Sequence, residues 1–176
     1  FVQFEKSTGL RIHEGFGQTE MTLGIANLYG TKIKPGAMGK PIPGYGIDIV
    51  DADGNSVADG VNGEFCARGY NTMKGYYKMP QATKDTVDAE GWLHSGDLAC
   101  MDEQGNFRIT GRLKDMIIRG GENIYPKEIE EFIYTHEKVQ DVQVIGVPDD
   151  QYGEEIMACI ILKDGENMTV DEMKQY

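Results

Sequence analysis

A chain of 176 residues is long enough to bury a core as one domain or as two small ones. Its 29 Asp plus Glu against 17 Lys plus Arg give a formal charge of −12. That balance excludes a generic nucleic-acid backbone binder, which needs a basic face to displace counterions. No apolar run approaches the roughly 18 residues that span a bilayer, and no charged-then-apolar leader opens the chain. Cys66, Cys100 and Cys159 stand far apart without CxxC spacing. They read as small buried apolar residues of a soluble cytoplasmic protein, not as a disulfide framework.

In chain order, "LRIHEGFG" alternates like a strand and leads into "QTEMTLGIANLY", where Met21, Ile25 and Leu28 carry helical spacing; the expectation is strand, turn, helix. From about Gly30 to Arg112, short alternating runs surround Asp-Gly and Gly-Asn turns, as in "GIDIVDADGNSVADGVNGEFCARG" and "LHSGDLACMDEQGNFRITGR". So many short antiparallel strands suggest a small barrel or sandwich. After Lys114 the pattern changes. "MIIRGGENIY" reads as a hairpin, "PKEIEEFIYTHE" as a helix with Pro126 in its first turn, and "VQDVQVIGVPD" and "EIMACIILKDG" as two strands. The expected class is α+β: a small antiparallel barrel-like portion, residues 1–112, followed by an α+β unit, residues 113–176. The ends read as cut, because the chain opens without Met and closes on "TVDEMKQY", an apolar stripe that has only begun.

Four stretches carry chemistry. In "EGFGQTE", Glu14 to Glu20, glycines flank Phe16 at the expected strand-to-helix junction, where helix N–H groups favour an anion. Thr19 adds a hydroxyl and Glu20 a carboxylate, a pair suited to a phosphate and its divalent cation; the competing reading is a Thr N-cap with an acidic first turn. In "GWLHSGD", Asp97 follows Ser-Gly at a bend and can offer two carboxylate oxygens to a cis-diol such as ribose, or close an Asx-turn. In "GEFCARG" and "MKGYY" the glycines are turns or bulges, and Tyr70, Tyr76 and Tyr77 read as wall and core. In "GRLKDMIIRGGENIYP" the order GxxxxGK[ST] is missing, so it is not a P-loop. His13, His94 and His136 are scattered without metal-ligand spacing.

In this order, "GFGQTE", "GEFCARG…GYY", "GWLHSGD" and "GRLKDMIIRGGENIYPKEIE" resemble the adenylate-forming superfamily of acyl-CoA synthetases, luciferases and adenylation domains. The text from Gly111 to "VPDDQYGEEIMACIILKDGE" is most similar to fatty-acyl-CoA synthetases of the medium-chain type. The resemblance implies that residues 1–112 close a large AMP-binding domain and 113–176 open a truncated small one. It implies a carboxylic acid, ATP and coenzyme A as reactants, AMP as product and Mg2+ as the cation. By position, Glu14, Gly15, Phe16, Gly17 and Gln18 form the nucleotide motif, with the Gly-Phe-Gly trio against adenine. Thr19 would contact the α-phosphate, Glu20 would hold Mg2+, Asp97 the ribose hydroxyls, and Arg112 ribose and phosphate. Lys114 would be the hinge of the small domain, and Gly120, Gly121 and Glu122 would line the pantetheine passage. Phe16 stands where the family commonly has Tyr, and Tyr152 where some relatives carry a phosphate-binding Arg. A Ser/Thr/Gly-rich phosphate loop before "GFGQTE" and the family's terminal lysine are not in these 176 residues, so this stretch alone is expected to be inactive. Rival readings are an enzyme loading a carrier protein and a noncatalytic adenylate-binding module.

Overall fold

The computed structural model describes residues Phe1–Tyr176, which fall into two units, Phe1–Ile109 and Thr110–Tyr176. In the first, helix α1 (Val2–Thr8) precedes a three-stranded sheet of order β1-β2-β3, made of Gly15–Gln18, Thr22–Ala26 and Lys40–Pro41. The expected helix after "GFGQ" is therefore a strand. Thr19 to Met21 is the turn of the β1–β2 hairpin, closed by Met21 N–H donating to the Gln18 carbonyl at 3.1 Å. The physical reason is parity: Met21 and Ile25 are four apart, which serves a period of two as well as one of 3.6. Both are fully buried, while Leu28, the third member of the supposed stripe, is exposed. The strand expected from Leu10 begins only at Gly15.

A four-stranded sheet of order β4-β5-β6-β7 follows: Tyr45–Val50, Gly63–Gly69, Leu93–Met101 and Phe107–Arg112, with α2 (Pro80–Thr86) between β5 and β6. The expected Asp turns are present. Asp51 Oδ1 accepts the N–H groups of Asp53 and Asn55, and Asp102 Oδ1 those of Gln104 and Asn106. Lys34, at 2.5 Å, is the main cause that holds the Asp102 carboxyl well below the usual range. The sheet is open, with β4 and β7 as edges, so the barrel expectation is corrected. Closure is unnecessary because the small sheet covers the larger one: Met21 and Ile25 share a core with Ile49, Phe65, Ala67, Leu93, Ala99 and Phe107. Phe65 is its centre, edge-on to Phe16 at 5.1 Å and to Phe107 at 6.1 Å. Burying a ring of that size stabilises by about 1.5–3 kcal/mol.

The second unit contains a 3-10 turn, Leu113–Asp115, then β8 (Ile117–Arg119), β9 (Glu122–Ile124), α3 (Pro126–Ile133), β10 (Val139–Asp149), β11 (Gly153–Leu162) and α4 (Val170–Gln175), with sheet order β10-β11-β8-β9. β10 alternates Val142 and Val144 inward, against Ile117 and Ile133. Helix α3 starts on Pro126, whose missing N–H costs nothing at a helix N-terminus. Helix α4 is fixed by a reciprocal capping box between Thr169 and Glu172. No helix is long and apolar enough to cross a membrane. The thiols are all free, but only Cys66 is buried; Cys100 is half-buried and Cys159 exposed, on the outward face of β11. The expectation of three buried cysteines therefore holds for one.

Candidate functional site

The first unit has a cleft of about 320 Å³, whose walls include Gln18 and Glu20 from the β1–β2 hairpin, Tyr76, Glu64 from β5, and Ser95 and Gly96 from β6. The hairpin is tightly drawn. A Cβ on Gly17 would lie 1.7 Å from the Thr22 carbonyl oxygen, so only glycine fits there. Thr22, in turn, is a β-branched residue at φ 63, a left-handed conformation that costs about 1–2 kcal/mol. Strain of this kind persists where surrounding contacts over-determine the backbone. Here they do: Met21 beside it is fully buried, and its carbonyl accepts the Tyr45 hydroxyl.

Opposite the hairpin, β6 departs from regular pairing. Glu64 faces Leu98 and Cys66 faces His94, so Phe65 alone stands against Ser95, Gly96 and Asp97. This bulge, with Gly96 at φ 71, bends the Ser-Gly-Asp corner of β6 away from regular pairing with β5. Gln18 crosses to it, its Nε2 donating to the Ser95 carbonyl at 3.0 Å and to Asp97 Oδ2 at 2.6 Å. Two of the four sequence stretches thus meet in space.

The structure brings Gln18, Glu20 and Asp97 together. Thr19 is exposed in the hairpin turn, and Glu14 precedes β1 with one carboxylate oxygen, Oε2, buried and unpartnered. Gly15 and Gly17 are on β1 on either side of Phe16, whose ring packs on Phe65. No helix begins at this motif, so its anion-binding capacity cannot come from a helix N-terminus. Arg112 ends β7, Lys114 is exposed in the 3-10 turn, and Glu122 begins β9; all three belong to the second unit. Gly120 and Gly121, at φ 59 and 88, form the two-residue turn between Arg119 and Glu122, a geometry that glycines adopt without strain. That turn is anchored to β11: Gly120 N–H donates to the Tyr152 carbonyl at 2.9 Å, and Arg119 pairs with Glu155 at 2.7 Å while its guanidinium lies 4.0 Å from the Tyr152 ring centre.

Sequence reasoning missed three participants. Tyr76, read there as wall and core, does line the cleft, but its partner was not foreseen: it donates its hydroxyl to Glu20 Oε1 at 2.7 Å, and that bond is the main cause holding its proton above the ordinary tyrosine range. Tyr70 and Tyr77 are exposed, not core. Glu64 and His94 form the third link, with Nδ1 of His94 at 2.8 Å from Glu64 Oε2 and 3.5 Å from Cys66 Sγ. The histidine has no metal spacing along the chain, yet strand pairing gathers Glu64, Cys66 and His94 with their ligand atoms within 4.8 Å of one another. Burial, helped by the carboxylates of Glu64, Asp48 and Asp88, pushes the Cys66 thiol up to about 12, so it keeps its proton and acts as a weak hydrogen-bonding member of the group. A glutamate two residues before an inward cysteine was the available signal, since both then share one face of the strand.

Comparison with known proteins decides the family. Residues 2–77 match the model of the AMP-binding enzymes, and residues 128–176 match that of the AMP-binding enzyme C-terminal domain. The chain belongs to the AMP-binding enzymes. Within this member of the family, Asp97, Arg112 and Lys114 lie between the two matched segments. It is 56% identical over 139 residues to the putative acyl-CoA synthetase YngI of Bacillus subtilis, covering 78% of this chain and 25% of YngI. It is 51% identical over 144 residues to the mitochondrial medium-chain acyl-CoA ligase ACSF2 of Homo sapiens, covering 81% of this chain and 23% of the ligase. Among solved structures, ATP-bound MatB from Rhodopseudomonas palustris superimposes with a TM-score of 0.89 at 36% identity, covering 96% of this chain and 34% of MatB. The chain spans about a quarter of the length of the curated relatives it matches.

Proposed function

We propose that the protein carrying this chain activates a carboxylic acid, a medium-chain fatty acid, as an acyl-adenylate and passes the acyl group to coenzyme A. The acid's carboxylate oxygen attacks the α-phosphorus of ATP and pyrophosphate leaves. The thiol sulfur of coenzyme A then attacks the acyl carbon, AMP leaves, and the thiol proton goes to solvent. The observation that carries this reading is the cleft in which Gln18 ties the hairpin of "GFGQTE" to the Asp97 corner. The names of the relatives support the acid class and the acceptor.

In this reading Asp97 accepts both ribose hydroxyls, which its two oxygens suit. The unpartnered Oε2 of Glu14 is an acceptor awaiting a donor, such as the adenine amine. At Gly15 and Gly17 a Cβ would strike β2, so glycine lets the hairpin close, and we assign the Gly-Phe-Gly strand so held to the base. Thr19, at the hairpin turn, donates to the α-phosphate. The cleft walls carry Glu20, Glu64 and Asp85, an acidic lining that opposes triphosphate unless a cation intervenes. Glu20 is suited to hold that cation, since Tyr76 occupies Oε1 and leaves Oε2 to face it. Mg2+, when bound, would neutralise phosphate charge. On the second unit we assign Arg112 to ribose and phosphate, Lys114 to the pivot between the two half-reactions, and Gly120, Gly121 and Glu122 to the pantetheine passage. The free thiols fit a reducing compartment, in this reading the cytoplasm.

The test is product analysis of the full-length protein given octanoate, ATP, magnesium and coenzyme A. The reading requires AMP and octanoyl-CoA in equal amounts. ADP as the nucleotide product, or AMP formation indifferent to the acid, would overturn it.

A further inference from the structure

The bulge that presents Asp97 is not self-supporting, and its support comes from the neighbouring strand. Ser95, Gly96 and Asp97 have lost their register with β5, so on that side their backbone groups need other partners. The Ser95 carbonyl accepts Gln18, and Asp97 N–H donates to Ser95 Oγ at 3.0 Å. Gly96 N–H donates to Glu64 Oε1 at 3.0 Å. The second oxygen of that carboxylate, Oε2, is held by His94 Nδ1 at 2.8 Å, and the Glu64 side chain is only 17% exposed. His94 is steadied from its far side by Asp88, 3.8 Å from Nε2, which itself accepts N–H groups from Glu90 and Trp92. Glu64 thus reaches across from β5 to bond the apex of the bulge.

We propose that Glu64 is a positioning residue for nucleotide binding: it splints the β6 bulge through Gly96 and so sets where Asp97 stands. Both Glu64 oxygens are taken, one by Gly96 N–H and one by His94 Nδ1, so the role assigned to it is exerted through the bulge. The inference rests on the reading of Asp97 as the ribose acceptor. A glutamate that served folding alone would change stability and the folded fraction. A splint acts instead on nucleotide affinity, and acts only while Asp97 is there to be placed.

The experiment is a double-mutant cycle on the full-length protein, with AMP affinity from calorimetry, KM for ATP and kcat from turnover, and a thermal melt for each variant. Asp97→Ala should weaken AMP binding at least tenfold. Glu64→Ala should weaken it about tenfold, with KM for ATP rising more than kcat falls. Glu64→Gln keeps an acceptor oxygen for Gly96 N–H and should recover most of that affinity, which also covers the case in which the alanine variant folds poorly. In the Asp97→Ala background, Glu64→Ala should add little. A full extra loss in that background, or unchanged AMP affinity in Glu64→Ala beside a lowered melting temperature, overturns the splint alone. Unchanged AMP affinity in Asp97→Ala overturns the nucleotide reading and the splint together.

Discussion

Gln18 Nε2 donates to Asp97 Oδ2 at 2.6 Å, joining residues 79 positions apart. Asp97 is 8% exposed, so its carboxylate is anchored before any ligand arrives. Gln18→Ala should loosen that anchor. A hydrogen bond to a charged group contributes about 1.5–3 kcal/mol, and part of it would appear as a roughly tenfold loss of AMP affinity by calorimetry. Gln18→Glu should bind more weakly still, because it sets a second negative charge beside Asp97. Equal affinity for wild type and both variants would show that the contact orders the apo protein only.

Tyr76 and Glu20 form a second pair across the cleft. Tyr76→Phe keeps the ring and removes the hydroxyl, leaving Glu20 free to turn. The magnesium concentration for half-maximal adenylation should rise about fivefold, equivalent to ~1 kcal/mol, less than for the part-buried Gln18–Asp97 bond because this pair is exposed to solvent. AMP binding without metal should not change. A loss of AMP affinity with an unaltered magnesium requirement would contradict the role.

The two units differ in how well their sequence displayed them. β10 could be read to the residue, since β-branched side chains crowd Val139 to Val147 and Val142 to Ile145 alternates buried with exposed. The Gly-Gly hairpin was equally plain, because few turns need two consecutive left-handed residues. The hairpin at Gln18 was hidden: spacing of four satisfies both periods, and Thr22 occupies a conformation that its residue type disfavours. Asp97 could be picked from "HSGD", but its support could not. The Glu64–Gly96 contact depends on a bulge, and a bulge changes register, which no local pattern encodes. Tyr76 does line a wall, but its bond to Glu20 was not legible, because a tyrosine in a glycine-flanked segment looks the same whether its hydroxyl meets solvent or a carboxylate.

The second unit should respond to acid through Glu155. Its hydrogen bond with Arg119, and then the Ile156 N–H, lower its carboxyl from the usual 4.5 to about 2. A depressed folded-state value means that this contribution is complete above about pH 4.5 and fades as pH falls toward 2. The wild-type melting temperature should therefore drop more steeply across that window than that of Glu155→Gln. The difference should be small, because the pair is partly exposed and solvent screens it. Parallel slopes for the two proteins would refute the assignment.

Lys114 is exposed in the 3-10 turn, where its side chain has little to hold. If its backbone is the pivot, Lys114→Ala should preserve much of both half-reactions. Lys114→Pro fixes φ near −65° and removes an N–H. It should retain pyrophosphate exchange and lose thioester formation from supplied acyl-adenylate. Equal losses in both steps, with the fold intact by circular dichroism, would remove Lys114 from the mechanism.

Acid-dependent exchange of labelled pyrophosphate into ATP by the full-length protein, without coenzyme A, reads acyl-adenylate formation most directly. Octanoate should drive exchange, and Glu20→Ala should cut it by about 10²-fold or more, as expected when a group that stabilises transition-state charge is removed. Exchange that ignores octanoate, or that proceeds at the wild-type rate in Glu20→Ala, would contradict the account.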